Sequence, residues 1–135
     1  MSPRPPHQSK SGKPTRLRLI YEDEHLLVID KPPGVLSSSV PGQDADNAFD
    51  FVKEHVRSNR TRRGGPAAWI IHRLDREASG LLVFAKNHDA FTWLKEDLRA
   101  KRIQRLYTAV VEGQMTPDTP DGLGVVQSYI ADTRS

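Results

Sequence analysis

An α+β fold, with a mixed, largely antiparallel sheet and flanking helices, follows from three features of the 135-residue sequence. Short apolar runs of strand length recur along it, and two segments carry apolar residues at helical spacing. The order they give is strand, strand, helix, strand, strand, helix, strand, strand, which predicts a sheet with helices on a face. A hydrophobic fraction of 36% and a charged fraction of 27% suit a globular chain with a real core. At this length roughly two thirds of the unfolded surface can be buried.

Residues 1–16 hold Pro3, Pro5, Pro6 and Pro14 and no apolar face, so they read as a disordered basic tail. The folded domain is expected over residues 17–135. Leu17, Leu19 and Tyr21 alternate with Arg18 and Ile20, an edge-strand pattern, and Glu22 to His25 form a polar turn. Leu26 to Ile29 is a continuous apolar run, read as a strand buried on both faces and paired with the first as a hairpin. Pro32 and Pro33 stop that strand, because neither can donate to a ladder. Lys31 is delivered at its end, at the sheet's edge, beside the loop of Ser37, Ser38 and Ser39.

Ala48, Phe49, Val52 and Val56 recur at helical spacing, with Asp44 or Asp46 available as N-cap. The helix runs out into a basic loop through Arg60, Arg62 and Arg63. Residues 70–71 and 81–85 are the next two strands. Asn87 or Asp89 can cap a second helix whose inner stripe is Ala90, Phe91, Leu94 and Leu98, with Lys101 and Arg102 complementing the helix dipole. Arg105 to Glu112 alternates as a further strand, and Val125 to Ile130 reads as the last. The chain stops at Ser135, leaving that strand's edge open, and is expected to be a fragment of a longer chain.

Composition excludes several function classes. There is no cysteine, hence no disulfide, thiolate nucleophile or cysteine-held metal. The five histidines lack metal-ligand spacings. No apolar run approaches the length that spans a bilayer, and Met1 to Arg18 has no secretory segment, so a cytoplasmic protein is expected. Net charge is +3 with a pI near 9.4, but the charge is clustered. Arg4 to Arg18, Arg57 to Arg63 and Lys95 to Arg105 form three basic groups, a distribution suited to a polyanion.

The segment between the two middle strands concentrates the remaining chemistry. His72, Arg73, Asp75, Arg76 and Glu77 interrupt apolar sequence on both sides, and loops held by a rigid scaffold commonly carry working residues. A solvated turn with a surface ion pair is the bland alternative, about as well supported by spacing alone. Asp75 and Glu77 would lie about 7 Å apart on an extended segment, a weak match to a glycosidase pair. Guanidinium groups at Arg73 and Arg76 would keep Asp75 ionised, as a base or nucleophile, and could grip phosphate.

The sequence from His72 to Lys86, HRLDREASGLLVFAK, resembles the signature of the RluA-type pseudouridine synthases. Tyr21 to Gly34 resembles that family's opening block, and Lys101 to Gly113 the block carrying its active-site tyrosine. The resemblance runs from about Leu17 onward and implies the pseudouridine synthase catalytic fold, apparently truncated. It implies an isomerase that converts uridine to pseudouridine in structured ribosomal or transfer RNA, without metal or organic cofactor and as a monomer. Asp75 would be the essential carboxylate, acting as nucleophile or by abstracting a sugar proton to give a glycal. Arg73 would fill the gap or hold the backbone of the flipped nucleotide, and Tyr107 would be catalytic, packing on the uracil with its phenol able to assist removal of the C5 proton. His72 and Arg76 would contact RNA, with a structural or RNA-contacting role and a catalytic one equally open for His72. Lys31 would have a structural role, with phosphate contact as the alternative.

Two departures qualify the resemblance. The later Gly-Arg-x-x-Gln-Ile-Arg-like block, whose arginine pairs with the catalytic carboxylate, is not found in these residues, and neither is an S4 RNA-binding module. A non-catalytic RNA-binding fragment of the same fold is therefore the second hypothesis, and a carboxylate glycosidase a third. Which RNA and which uridine are not written in the sequence.

Overall fold

Alternating burial along two central strands organises the fold, seen in a computed structural model that describes residues 17–42, 45–58 and 67–113. The strands are β1 (Arg18–Glu22), β2 (Leu26–Lys31), β3 (Trp69–Ile70) and β4 (Gly80–Ala85), and the helices α1 (Ala48–Ser58) and α2 (His88–Arg99). The strands form one sheet in the order β1-β2-β4-β3, and every pairing in it is antiparallel. The expected mixed character is thus reduced, among the described residues, to an isolated parallel bridge between Leu36 and Asn47. No helix among them is long and apolar enough to cross a membrane.

Leu27 and Ile29 of β2, with Leu82 and Phe84 of β4, pack against Ala48, Val52 and Val56 of α1. Phe49 stacks on Phe84 with ring centroids 6.1 Å apart. The intervening residues Leu26, Val83 and Ala85 pack instead with Ala90, Phe91, Leu94 and Leu98 of α2. Successive strand residues point to opposite faces, so the two helices cover opposite faces of the sheet. The expectation of helices on one face is corrected, and the continuous apolar run of β2 is explained: each face meets its own helix. Cover by α2 is incomplete, and Tyr21 (51%) and Leu81 (58%) stay exposed, so β2 and β4 are not fully buried on both sides.

Two local expectations shift. A bulge at Ile20 breaks the β1 alternation, so Leu19 pairs with Ile29 whereas Tyr21 pairs with Val28. The extra residue puts Leu19 and Tyr21 on different faces, where unbroken alternation would place them on one. The cap of α1 is Asn47 and not Asp46, and Asp44 lies outside the described residues. Asn47 Oδ1 accepts from the Asp50 N–H at 2.9 Å, and its Nδ2 donates to Asp50 Oδ2 at 2.8 Å. A cap must immediately precede the first helical residue, here Ala48, so Asp46 sits one position too early. Of the two candidates Asn87 and Asp89, Asn87 caps α2, accepting from the Ala90 N–H.

The chain divides into two compact units, one ending at Gln104 and one beginning at Arg105. In the second unit, residues 105–113 form no strand, against expectation, and Leu106, Tyr107 and Val110 are exposed. Alternation yields a strand only where a partner takes the backbone groups, and among the described residues this segment has none. The expected tail over 1–16, the loop through Arg60 to Arg63 and the last strand lie outside the described residues.

An ion network staples the end of β1 to its surroundings. Glu22 accepts from Lys86 Nζ at 2.7 Å and lies 2.8 Å from His55 Nε2 on α1. Burial pushes the Glu22 carboxyl up, but hydrogen bonds from Lys86 and His55 outweigh it and hold it below the usual glutamate range. A depressed carboxyl stabilises the fold above its ordinary value of 4.5, and that contribution is lost as pH falls through the lower folded value. Glu22→Gln is expected to reduce stability near neutrality by about 1–2 kcal/mol. It should also flatten the acid limb of a plot of urea midpoint against pH; parallel limbs for variant and wild type would refute the assignment.

Candidate active site

The segment between β3 and β4 is held at alternate points, and its exposed residues lie between the holds. Ile71 is buried; its N–H donates to Val83 O at 3.2 Å, and its carbonyl accepts from Lys95 Nζ of α2 at 2.9 Å. His72 is half-buried, and its Nε2 accepts from the Val83 N–H at 3.3 Å. Accepting there requires Nε2 to carry no proton in this arrangement. Leu74 is buried, and Ser37 Oγ bonds its backbone twice, donating to Leu74 O at 2.6 Å and accepting from Leu74 N at 2.9 Å.

The far side is tied to the loop after β2. Gly34 N donates to Arg76 O at 2.8 Å, and Arg76 Nε donates back to Gly34 O at 3.2 Å. Gly34 has φ +83, a left-handed conformation that disfavours any side chain at this position. Lys31 is fully buried, and its ammonium donates to three carbonyls: Pro32 O at 3.1 Å, Val35 O at 2.7 Å and Arg76 O at 3.1 Å. Three protons meet three acceptors. Burial pushes the Lys31 ammonium below the usual lysine range, opposed by the carboxylates of Glu77 and Asp75. Lys31 ends an inner strand, since β2 lies between β1 and β4, which corrects its expected place at the sheet's edge.

Arg73, Asp75, Arg76 and Glu77 are exposed. Among the described residues no ion pair joins Asp75 to Arg73 or Arg76. Arg76 turns to Gly34, with Glu77 at 4.0 Å, because backbone and side chain both engage that glycine. Hence the structure brings His72, Arg73, Asp75, Arg76 and Lys31 to one loop and its cradle. Tyr107 belongs to the second unit and is exposed.

Sequence reasoning missed Ser37, Gly34 and Lys95 as parts of this cradle. Three consecutive serines mark a loop, yet nothing in their order says which one faces inward. Lys95 falls by sequence in a basic cluster, but its amine is committed to Ile71 O and lies 5.7 Å from the Phe91 ring. In the same cluster Arg102 pairs with Asp97 at 2.6 Å, so these two cations are engaged locally.

Fold and loop together define a class: an antiparallel sheet, a helix on each face, presenting on a clamped backbone one carboxylate with no ion pair among the described residues. The family model for RNA pseudouridylate synthase matches residues 25–134, and the chain belongs to that family. It is 38% identical over 115 residues to ribosomal large subunit pseudouridine synthase D of Pseudomonas aeruginosa, covering 82% of this chain and 35% of that protein. It is 34% identical over 116 residues to the uncharacterized RNA pseudouridine synthase YlyB of Bacillus subtilis, covering 86% of this chain and 38% of that one. The chain thus spans little more than a third of these relatives' length. The solved structure of human RNA pseudouridylate synthase domain containing 4 matches with a TM-score of 0.51 at 22% identity, covering 63% of this chain and 30% of that one. That match shows the fold.

Proposed function

We propose that the full-length protein isomerises uridine to pseudouridine in ribosomal RNA, with Asp75 as the reacting carboxylate. The observation that carries this reading is the loop itself: Leu74 and Arg76 are clamped while Asp75 between them is exposed and makes no ion pair among the described residues. A carboxylate so placed is available to a substrate atom, and its backbone has little freedom to retreat. The bond between C1′ and N1 breaks, the uracil rotates, C5 joins C1′ as the C5 proton leaves, and N1 takes up a proton, so that atoms balance. The names of the relatives support ribosomal RNA over transfer RNA as the substrate.

Roles for the other residues follow on the same reading. Arg73, exposed two residues before Asp75, takes a phosphate of the flipped nucleotide. Tyr107 takes the uracil ring, a role supported by its place in the block that resembles the family's tyrosine motif. His72 and Lys31 hold the loop, since the hydrogen bonds described for them run to backbone groups.

Release of tritium from C5-tritiated uridine in ribosomal RNA tests the activity directly. Salt-dependent RNA binding with no release from any cellular RNA would instead favour a non-catalytic RNA-binding protein. Arg73→Ala is expected to make the slope of log K against log salt shallower by about 0.7 for single-stranded substrate. An unchanged slope in anisotropy titrations across potassium chloride would remove Arg73 from the phosphate contacts.

A further inference from the structure

We infer that Ser37 is a positioning residue for Asp75, an inference that rests on Asp75 being the reacting carboxylate. Leu74, directly before Asp75, lies outside any strand, yet its side chain is buried and both its backbone groups need partners. A single hydroxyl serves both: Ser37 Oγ donates at 2.6 Å and accepts at 2.9 Å, and Ser37 is only 4% exposed. A hydroxyl is the smallest side-chain group that can do this, having one proton to give and lone pairs to receive. It acts as a one-residue substitute for a neighbouring strand.

Ser37 is itself fixed from the other side. Its carbonyl accepts from the Phe49 N–H at 3.1 Å, and Leu36 O accepts from the Ala48 N–H at 2.8 Å. These are donors of the first turn of α1, which have no partner inside the helix. An unbroken hydrogen-bonded path therefore runs from the start of α1 through Ser37 to Leu74 and so to the backbone of Asp75. Lys31 and Gly34 fix Arg76 on the other flank. Without the Ser37 bonds the Leu74 backbone loses both its partners, and the nearest hydrogen bonds before Asp75 are those of Ile71 and His72. Nothing in the loop's sequence distinguishes Ser37 from Ser38 or Ser39; burial and geometry do.

The test is steady-state pseudouridine formation by the full-length protein, with kcat expressed per folded molecule from near-ultraviolet circular dichroism. Ser37→Ala is expected to lower kcat by up to about 10²-fold with KM for the RNA unchanged, since misplacement of the reacting group leaves binding alone. Ser37→Cys, close in shape but a weak donor and acceptor, should fall between Ala and wild type. It carries the same test if the alanine variant does not fold. Wild-type kcat per folded molecule in either variant, or a loss confined to KM, overturns the inference. Should wild type itself release no tritium, the functional reading fails; should wild type be active and Asp75→Asn inactive while the Ser37 variants keep full kcat, only the role of Ser37 fails.

Discussion

Asp75→Asn in the full-length protein is expected to lower tritium release from C5-tritiated uridine by about 10³-fold or more, the scale seen when a reacting group is removed. Asparagine keeps the size of the side chain and removes both its charge and its basicity. The clamps on Leu74 and Arg76 involve no atom of the Asp75 side chain, so the loop should stand unchanged in the variant. Thermal stability should shift little, and RNA affinity should hold. That combination separates chemistry from folding. Release at the wild-type rate by Asp75→Asn would show that another group does the work and would sink any mechanism built on this carboxylate.

Lys31→Met is expected to produce the largest loss of stability among the cradle variants, about 3 kcal/mol, from three charge-assisted hydrogen bonds lost at a fully buried position. Methionine matches much of the stem volume but offers no donor, so the carbonyls of Pro32, Val35 and Arg76 lose a shared partner. Removing a buried charge offsets part of the loss, because the ammonium is desolvated there. Urea denaturation of the full-length variant checks the size of the effect. A midpoint equal to wild type would mean that the three carbonyls find water at no cost, and that Lys31 is no anchor. Pseudouridine formation should fall with it, as Arg76 O is one of the three acceptors.

Much of the fold is legible in the residues. The hairpin of β1 and β2, both helix stripes and the Asn87 cap follow from periodicity and cap chemistry, which are local. The charged loop stands out because apolar runs bracket it. Local pattern fails where it meets a long-range partner. Alternation over Arg105 to Glu112 is indistinguishable from that of a paired strand until the ladder partner is known. The bulge at Ile20 and the choice of Asn47 over Asp46 each turn on one residue of register.

The sequence by itself determined that a carboxylate would stand between arginines on a loop bracketed by strands, and which family's motif it resembles. Only the tertiary structure decided what that loop rests on. Lys31 and Ser37 meet it across 45 and 37 residues of chain, and Lys95 across 24. Hydrogen bonds depend on distance and angle in space, which no spacing along the chain encodes, so the arginines beside Asp75 proved to be its neighbours without being its partners.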